Sequence, residues 1–330
     1  MNLRPQGFKL SKAISGFIQY KAAEALSPTT LRSYEHDLKL WLDHGGDVEV
    51  GQVSAQDLRA YLVWLRTDYK PRRLTGGDYP LSPKTLRNIW VSLAAFFAWF
   101  SREFEVPNPM KSVPTPKFEE KPVEPFTKED IERVLKACDY CVEAHPENRR
   151  RFTMRRCTAN RDHAMILTLL DTGLRASELC ALKVGDLELK TGKLDVKHGV
   201  LGGAKGRKGR TVFLGKAARR AVWRYLAARE DGEDPAAPMF VGKFNRPLNR
   251  DGLRQLLAEL GKKAQVKKCH PHRFRHTFAI TYLRSGGDLF TLQALLGHSS
   301  LEMVQHYARV AQLDVEQAHR RASPADNWRL

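Results

Sequence analysis

The side chains best suited to chemistry stand near the end of the chain, within residues 270–310. His272 and Arg275 are three residues apart, so a helix would carry both on one face. A Leu-Gly-His turn follows and ends at His298, and Tyr307 stands nine residues after that histidine. Cations on a helix face, a turn histidine and a phenol form a set that could bind a phosphate and attack it with the tyrosine.

Two more basic residues stand earlier in the chain in settings that suit phosphate contact. Arg175 follows a Gly-Leu pair where a helical pattern breaks, and Glu178, one helical turn further on, can hold its guanidinium in an ion pair. Lys205 lies in a glycine-rich stretch that is typical of a β-hairpin tip. Spacing leaves the nucleophile open, because Tyr282 lies seven residues after Arg275 on the same helix face.

Two groups of cysteine and histidine raise the possibility of a metal site. Cys138 and Cys141 have the spacing of zinc ligands, but both fall inside a predicted helix and no second Cys-x-x-Cys follows. Three histidines within residues 269–276, beside a cysteine, are interleaved with arginines that would repel a dication. The stretch around Lys205 does not match the phosphate-binding loop G-x-x-x-x-G-K-[ST]. We therefore expect no metal and no other cofactor.

The composition is typical of a protein that meets nucleic acid. The net charge of +18 is uneven: residues 1–115 carry 15 basic and 11 acidic side chains, a net of +4, and residues 116–330 carry a net of +14. No apolar run reaches the roughly 20 residues of a membrane span, and the N-terminus lacks a secretion-signal pattern. The five cysteines form no disulfide framework. We expect a cytoplasmic, nucleoid-associated protein.

Helix start signals and one proline-rich stretch predict how the chain divides. Ser27-Pro28, Ser54 and Ser82-Pro83 each open a helical pattern, which predicts a small helical bundle over residues 8–105. Six prolines follow closely on one another and predict an extended linker over residues 106–126.

The remainder of the chain is predicted to form a second, mainly helical domain over residues 127–321, with a tail at 322–330. Thr127 caps a helix predicted to run to about Ala144. The helical period is lost over residues 186–214, where short strands separated by glycine turns predict a small antiparallel three-stranded sheet. The predicted fold class is therefore mainly α, with a minor β component.

Taken together, these motifs resemble the tyrosine recombinase, or phage integrase, family of site-specific DNA recombinases. The family pattern is an arginine in a TGLR-x-SEL context, a hairpin lysine, His-x-x-Arg, Leu-Gly-His and a tyrosine about nine residues later. Glu178 matches the acidic supporting position, and the resemblance, which covers residues 127–321, selects Tyr307 over Tyr282. The six catalytic positions of the family are matched by Arg175, Lys205, His272, Arg275, His298 and Tyr307.

The resemblance implies cleavage and rejoining of duplex DNA through a 3′-phosphotyrosyl bond. In this scheme Tyr307 attacks with His272 as its base, and Lys205 protonates the departing 5′ oxygen. The two arginines hold non-bridging phosphate oxygens, and His298 donates a further hydrogen bond. The residues 8–105 resemble the family's core-binding domain. Family members act as a tetramer on two DNA sites through a Holliday junction, and the segment 313–330 resembles the part that docks on a neighbouring subunit.

Other functions remain compatible with these residues. A type IB topoisomerase uses similar chemistry without a partner strand, and a helical DNA-binding regulator could retain the fold without activity. The complete set of catalytic residue types argues against the regulator. A metal-dependent nuclease is disfavoured because no acidic cluster is visible in the sequence.

Overall fold

A computed structural model describes residues 7–71, 79–119, 124–140, 154–197 and 209–297, together with residues 304, 305, 307 and 323. These residues fall into two compact units, the first taking those up to 119 and the second those from 124 onward. Each unit has its own hydrophobic core. No helix within these ranges is long and apolar enough to cross a membrane.

Four α-helices form most of the described part of the first unit, and three of them begin at the capping residues that the sequence predicts. The hydroxyls of Ser27, Ser54 and Ser82 each accept a hydrogen bond from the backbone N–H three residues further on. A proline occupies the first helical position after two of these serines, where its missing N–H costs nothing. The helices are α1 (Leu10–Ala23), α2 (Pro28–Gly45), α3 (Ala55–Thr67) and α4 (Pro83–Glu103).

The core of the first unit is built largely from aromatic rings. Phe96 on α4 meets Phe17 on α1 edge-on, with ring centroids 5.6 Å apart, and lies 6.3 Å from the ring of Trp41 on α2. Edge-to-face pairs of this kind add to the gain from apolar burial. Four of the six tryptophans of the chain pack in or against this core, namely Trp41, Trp64, Trp90 and Trp99.

Helices surround a small sheet in the second unit, which confirms the predicted mainly α fold. The strands β1 (Leu187–Glu188), β2 (Lys193–Val196) and β3 (Arg210–Phe213) pair antiparallel in the order β1-β2-β3. Buried apolar side chains face one another across the sheet, with Leu194 opposite both Leu187 and Val212. The helices are α5 (Lys128–Asp139), α6 (Ala159–Thr172), α7 (Ala176–Ala181), α8 (Lys216–Leu226), α9 (Arg250–Lys263), α10 (Pro271–Arg284) and α11 (Leu289–Leu296).

Helix α6 organises this unit because it packs against α5, α8 and α10. Its last turn delivers the chain to Gly173 and thus to the arginine of the TGLR motif. Arg273, which stands inside the His-x-x-Arg motif, ties α10 to the start of the unit. Its guanidinium lies 4.0 Å from the centroid of the Phe126 ring and donates to the carbonyl of Glu124 at 3.0 Å. This interleaved arginine therefore has a structural role.

One predicted helix is wrong in its length. Helix α5 ends at Asp139 rather than near Ala144, because Tyr140 takes an extended backbone and forms an antiparallel bridge with Arg155. The segment 313–330, which includes the predicted tail, lies outside the described residues except for residue 323. Two predicted site residues, Lys205 and His298, also lie outside them.

Candidate active site

Arg175 owes its position to a left-handed turn at the end of α6. Gly173 ends the helix with φ of 60°, a conformation that glycine adopts without strain. A Cβ at this position would lie 2.6 Å from the Cδ1 atom of Phe278, so the turn is also tightly packed. The chain then makes Arg175 the N-cap residue of α7, with 29% of its side chain exposed. The side chain of Arg175 thus starts from the fixed beginning of α7 and remains partly open to solvent.

The carboxylate of Glu178 lies between two arginines. Its Oε1 accepts from the Nη1 atoms of Arg175 and Arg210, both at 2.9 Å. Its Oε2 accepts from the backbone N–H of Arg175 and from Nη2 of Arg210, both at 2.8 Å. Burial alone would raise the pKa of Glu178, but the hydrogen bonds and charges of Arg210 and Arg175 outweigh it and lower the pKa to about 2. Glu178 is therefore charged at neutral pH.

Arg275 on α10 is almost fully buried, with 3% of the residue exposed. Its Nη1 donates to the carbonyl of Gly173 and its Nη2 to the carbonyl of Leu296, both at 2.8 Å. Burial, together with the neighbouring charge of Arg175, lowers the pKa of Arg275 to about 10, so the guanidinium stays charged at neutral pH. Two backbone carbonyls thus set the plane of a buried cation.

The two arginines of the predicted site meet at a single peptide group. The carbonyl of Leu296 accepts from Arg275 at 2.8 Å and from Nη1 of Arg175 at 3.4 Å. Gly297 ends α11 in the left-handed conformation, with φ of 62°, immediately before His298 in the chain. The adjacent carbonyl of Leu295 accepts from Nε of Arg210 at 2.6 Å. The end of α11 therefore holds three guanidiniums together.

Tyr307 is buried among apolar side chains of α10 and α11, with 4% of the residue exposed. Arg275 is hydrogen-bonded to its phenol. Burial raises the pKa of Tyr307, while the charge and hydrogen bond of Arg275 and the charge of Arg175 act in the opposite direction. A phenol that stays protonated at neutral pH needs a base when it attacks.

His276 stands between Tyr307 and the histidine of the His-x-x-Arg motif. The ring centroid of His276 is 5.2 Å from that of Tyr307 and 4.3 Å from that of His272. His272 is exposed and His276 is half-buried. The sequence offered His276 only as a weak metal ligand, whereas the structure places it against the phenol.

The structure brings Arg175, Arg275 and Tyr307 into one cluster and links His272 to it through an intervening histidine ring. In contrast, the aromatic partner of Tyr282 is Phe278, at 5.8 Å between ring centroids. Sequence reasoning missed Arg210, because its signal is only one cation at the start of an apolar strand.

The charge balance of the cluster favours an anionic ligand. Two guanidiniums, those of Arg175 and Arg210, share the carboxylate of Glu178, and the third, that of Arg275, bonds two backbone carbonyls, which leaves an excess of positive charge at the end of α11. Among the described residues, no three histidine, cysteine, aspartate or glutamate side chains are grouped so that they could hold a metal ion. Arginine forks beside a phenol suit a phosphate and its attack by oxygen.

Comparison with known proteins agrees with this chemistry. The phage integrase family matches residues 124–313, and the N-terminal SAM-like domain of phage integrases matches residues 14–104. Tyrosine recombinase XerC of Leptospira interrogans is 30% identical over 320 residues, 96% of this chain and 94% of that protein. Tyrosine recombinase XerD of Listeria innocua is 26% identical over 326 residues, 96% of this chain and 99% of that protein.

The fold agrees as well. The crystal structure of the XerH site-specific recombinase, bound to a palindromic difH substrate in a post-cleavage complex, has a TM-score of 0.70 at 18% identity and covers 99% of this chain and 100% of that one. These matches give no support to a topoisomerase or to a silent regulator. The chain belongs to the phage integrase family and is a tyrosine-type site-specific DNA recombinase.

Proposed function

We propose that Tyr307 is the nucleophile of this recombinase and that Arg175 and Arg275 bind the scissile phosphate. One observation carries the proposal: Arg275 is hydrogen-bonded to the phenol and shares the carbonyl of Leu296 with Arg175, so the phenol and two guanidiniums converge. Each guanidinium can bond a non-bridging oxygen and neutralise the charge that grows during attack.

The proposed cleavage step forms one bond and breaks one. The Tyr307 Oη–phosphorus bond forms as the bond from phosphorus to the 5′ oxygen breaks, and His272 accepts the phenolic proton. Lys205 gives a proton to the departing 5′ oxygen, and His298 donates a hydrogen bond to the phosphate. The products are a 3′-phosphotyrosyl bond and a free 5′ hydroxyl. The 5′ hydroxyl of a partner strand reverses the step without ATP, because the covalent bond retains the linkage energy.

The wider assembly is also a proposal. We assign residues 8–105 to binding of duplex DNA, 106–126 to a linker, 127–321 to catalysis and 322–330 to a tail. The match of residues 14–104 to the SAM-like domain and the net charge of +18 support a DNA partner. The active form is a tetramer on two DNA sites that exchanges strands through a Holliday junction. It acts in the cytoplasm at the nucleoid, as a recombinase of a mobile element or of the Xer type.

The nucleophile is tested by covalent capture. A duplex site is first selected by binding from a random-sequence library and then nicked, so that cleavage releases a short fragment and traps the adduct. Wild type, Tyr307→Phe and the matched control Tyr282→Phe are compared in EDTA on a denaturing gel. We expect an adduct in wild type and Tyr282→Phe, and none in Tyr307→Phe. An adduct that persists in Tyr307→Phe and vanishes in Tyr282→Phe would refute the assignment.

The assembly is tested by truncation. Deleting residues 311–330 should weaken formation of the synaptic complex more than binding to a single site, because the deleted segment is proposed to dock on a neighbouring subunit. Native gels with one labelled site and with two labelled sites measure both. Equal loss of the two would count against docking by this segment.

A further inference from the structure

Arg210, the first residue of β3, has no place in the six-residue catalytic pattern, yet its side chain is committed to the site. Every side-chain hydrogen bond that it makes to the described residues ends there. Its Nη1 and Nη2 form a fork onto the two oxygens of Glu178, at 2.9 and 2.8 Å. Its Nε donates to the carbonyl of Leu295 at 2.6 Å. The side chain is 13% exposed.

The fork matters because Glu178 holds Arg175 with the same two oxygens. Oε1 accepts from the guanidinium of Arg175 and Oε2 accepts from its backbone N–H. Because Arg210 binds the carboxylate in a planar, bidentate pair, the two oxygens that accept from Arg175 are held in fixed directions. The orientation of Arg175 therefore depends on Arg210.

The third bond of Arg210 extends this control to Arg275. The carbonyl of Leu295 is bonded to Arg210 and the next carbonyl, that of Leu296, is bonded to Arg275. The two acceptors are adjacent in the last turn of α11, so fixing one restrains the other. The charges are close as well, because Arg210 contributes to the lowered pKa of Arg275.

We propose that Arg210 is a positioning residue for DNA cleavage, which orients Arg175 through Glu178 and Arg275 through the last turn of α11. It acts on other side chains and not on the DNA. The inference rests on the proposed roles of Arg175 and Arg275 at the scissile phosphate. Lysine cannot replace Arg210, because a single ammonium nitrogen cannot reproduce a fork onto Glu178 and a bond to Leu295 at once.

The test is single-turnover formation of the covalent adduct at saturating DNA, using the nicked duplex described above. Arg210→Met and Arg210→Lys should each slow the adduct by about 10- to 100-fold, the range expected for losing charged hydrogen bonds. The dissociation constant for DNA should change by less than about threefold, since the positively charged phosphate ligands remain.

Arg229 provides the matched control. Its side chain is 10% exposed and pairs with Asp231 at 2.6 Å, and it also donates to the carbonyls of Pro238 and Met239. Arg229→Met thus removes a largely buried, carboxylate-bound arginine of the same unit without changing any residue of the site. We expect its thermal stability to fall and its adduct rate at saturating DNA to stay at the wild-type value.

Two further readouts separate positioning from a general loss of structure. If Arg210 acts through Glu178, the rate of Arg210→Met/Glu178→Gln should be close to that of the slower single variant, because the two changes break one unit. As the pH is lowered, the adduct rate of Arg210→Met should also begin to fall at a higher pH than the rate of wild type. Without Arg210, only Arg175 opposes the effect of burial, so the pKa of Glu178 rises and its carboxylate is protonated more easily.

The outcomes are distinguishable from failure of the proposed function. No adduct in wild type would overturn the assignment of the site, and this inference with it. Adduct in wild type and in Arg210→Met at equal rates would overturn only the inference. Multiplicative effects in the double variant, or an equal slowing in Arg229→Met, would also overturn it. If Arg210→Met does not fold, Arg210→Lys serves in its place, and restoration of the wild-type rate by lysine would be contrary evidence.

Discussion

Replacing Glu178 by glutamine tests how much the ion pairs of Glu178 with Arg175 and Arg210 stabilise the site. The change keeps the shape of the side chain and removes its charge. It also replaces one acceptor oxygen by an amide that faces the donors of Arg175 and Arg210. Two arginines are then left without an anion, beside the buried Arg275.

The magnitude follows from the pKa of Glu178, which the arginines lower from 4.5 to about 2. A difference of about 2.5 in pKa corresponds to about 3 kcal/mol of folding stability at pH 7. That value lies at the low end of the range of about 3–5 kcal/mol for breaking a buried ion pair. The low end is reasonable, because 29% of the Arg175 side chain is exposed and water can compensate part of the loss.

The pH dependence has a definite sign. The pKa of Glu178 is lower in the folded state than in the unfolded state, so its contribution is full well above pH 4.5 and is lost as the pH falls toward 2. The stability difference between wild type and Glu178→Gln should shrink from about 3 kcal/mol at pH 7 to about 2 kcal/mol at pH 3.5. Urea unfolding of the second unit at the two pH values measures this change.

Native-state hydrogen exchange at pH 7 gives the most local measurement. A loss of about 3 kcal/mol should lower the protection of amides in α6 and β3 by roughly 100-fold, because these elements belong to the same unit as Glu178. Amides of α4, in the first unit, are the internal control and should be unchanged. A loss of protection below about fivefold in α6 and β3, or a stability difference that grows as the pH falls, would refute the electrostatic account.

Three other predictions follow from the site. Gly173→Ala should destabilise the protein by about 2 kcal/mol in urea titrations, since alanine is strained at φ of 60° and its Cβ would meet the Phe278 ring at 2.6 Å. It should also slow cleavage, because the carbonyl of Gly173 holds Arg275. Wild-type stability of the variant would contradict the predicted strain. Affinity for the selected DNA site should fall by roughly 10³- to 10⁵-fold between 50 and 200 mM salt if about 6–10 phosphates are contacted; a fluorescence-anisotropy titration with a nearly flat salt slope would exclude such an interface. Lys205→Ala should cleave ordinary DNA slowly but recover on a substrate with sulfur at the 5′ bridging position, because a thiolate departs without a proton; gel analysis showing equal defects on both substrates would remove the general-acid role.

Local sequence signals correctly predicted the starts and ends of several helices. The serines at the helix starts of the first unit act within three residues of their own position, so their caps can be identified from the sequence. The left-handed glycines before Arg175 and His298 likewise follow from motifs that are contiguous in the chain. The end of α5 was wrong because the pairing of Tyr140 with Arg155 is a contact between separated segments that helical periodicity does not report.

The same difference between local patterns and contacts of separated segments applies to the residues of the candidate site. The motif pattern predicted Arg175, Arg275 and Tyr307, whose side chains the structure brings together, although spacing alone did not distinguish Tyr307 from Tyr282. The pattern did not find Arg210, because its three bonds reach residues 32 and 85 positions away in the chain. An arginine that opens a short strand has no sequence mark of such partners, so only the fold reveals that it belongs to the site.

The uneven placement of the tryptophans has a spectroscopic consequence. Two indoles lie in the core of the first unit and two more pack against it, whereas Trp223, the one tryptophan in the described part of the second unit, is 57% exposed and thus already in water. A red shift of the emission from these five indoles will therefore report the melting of the first unit and very little of the unfolding around Trp223. The intrinsic emission of these tryptophans is therefore selective for the first unit. In a variant that loses structure only around Glu178, this emission would stay almost unchanged.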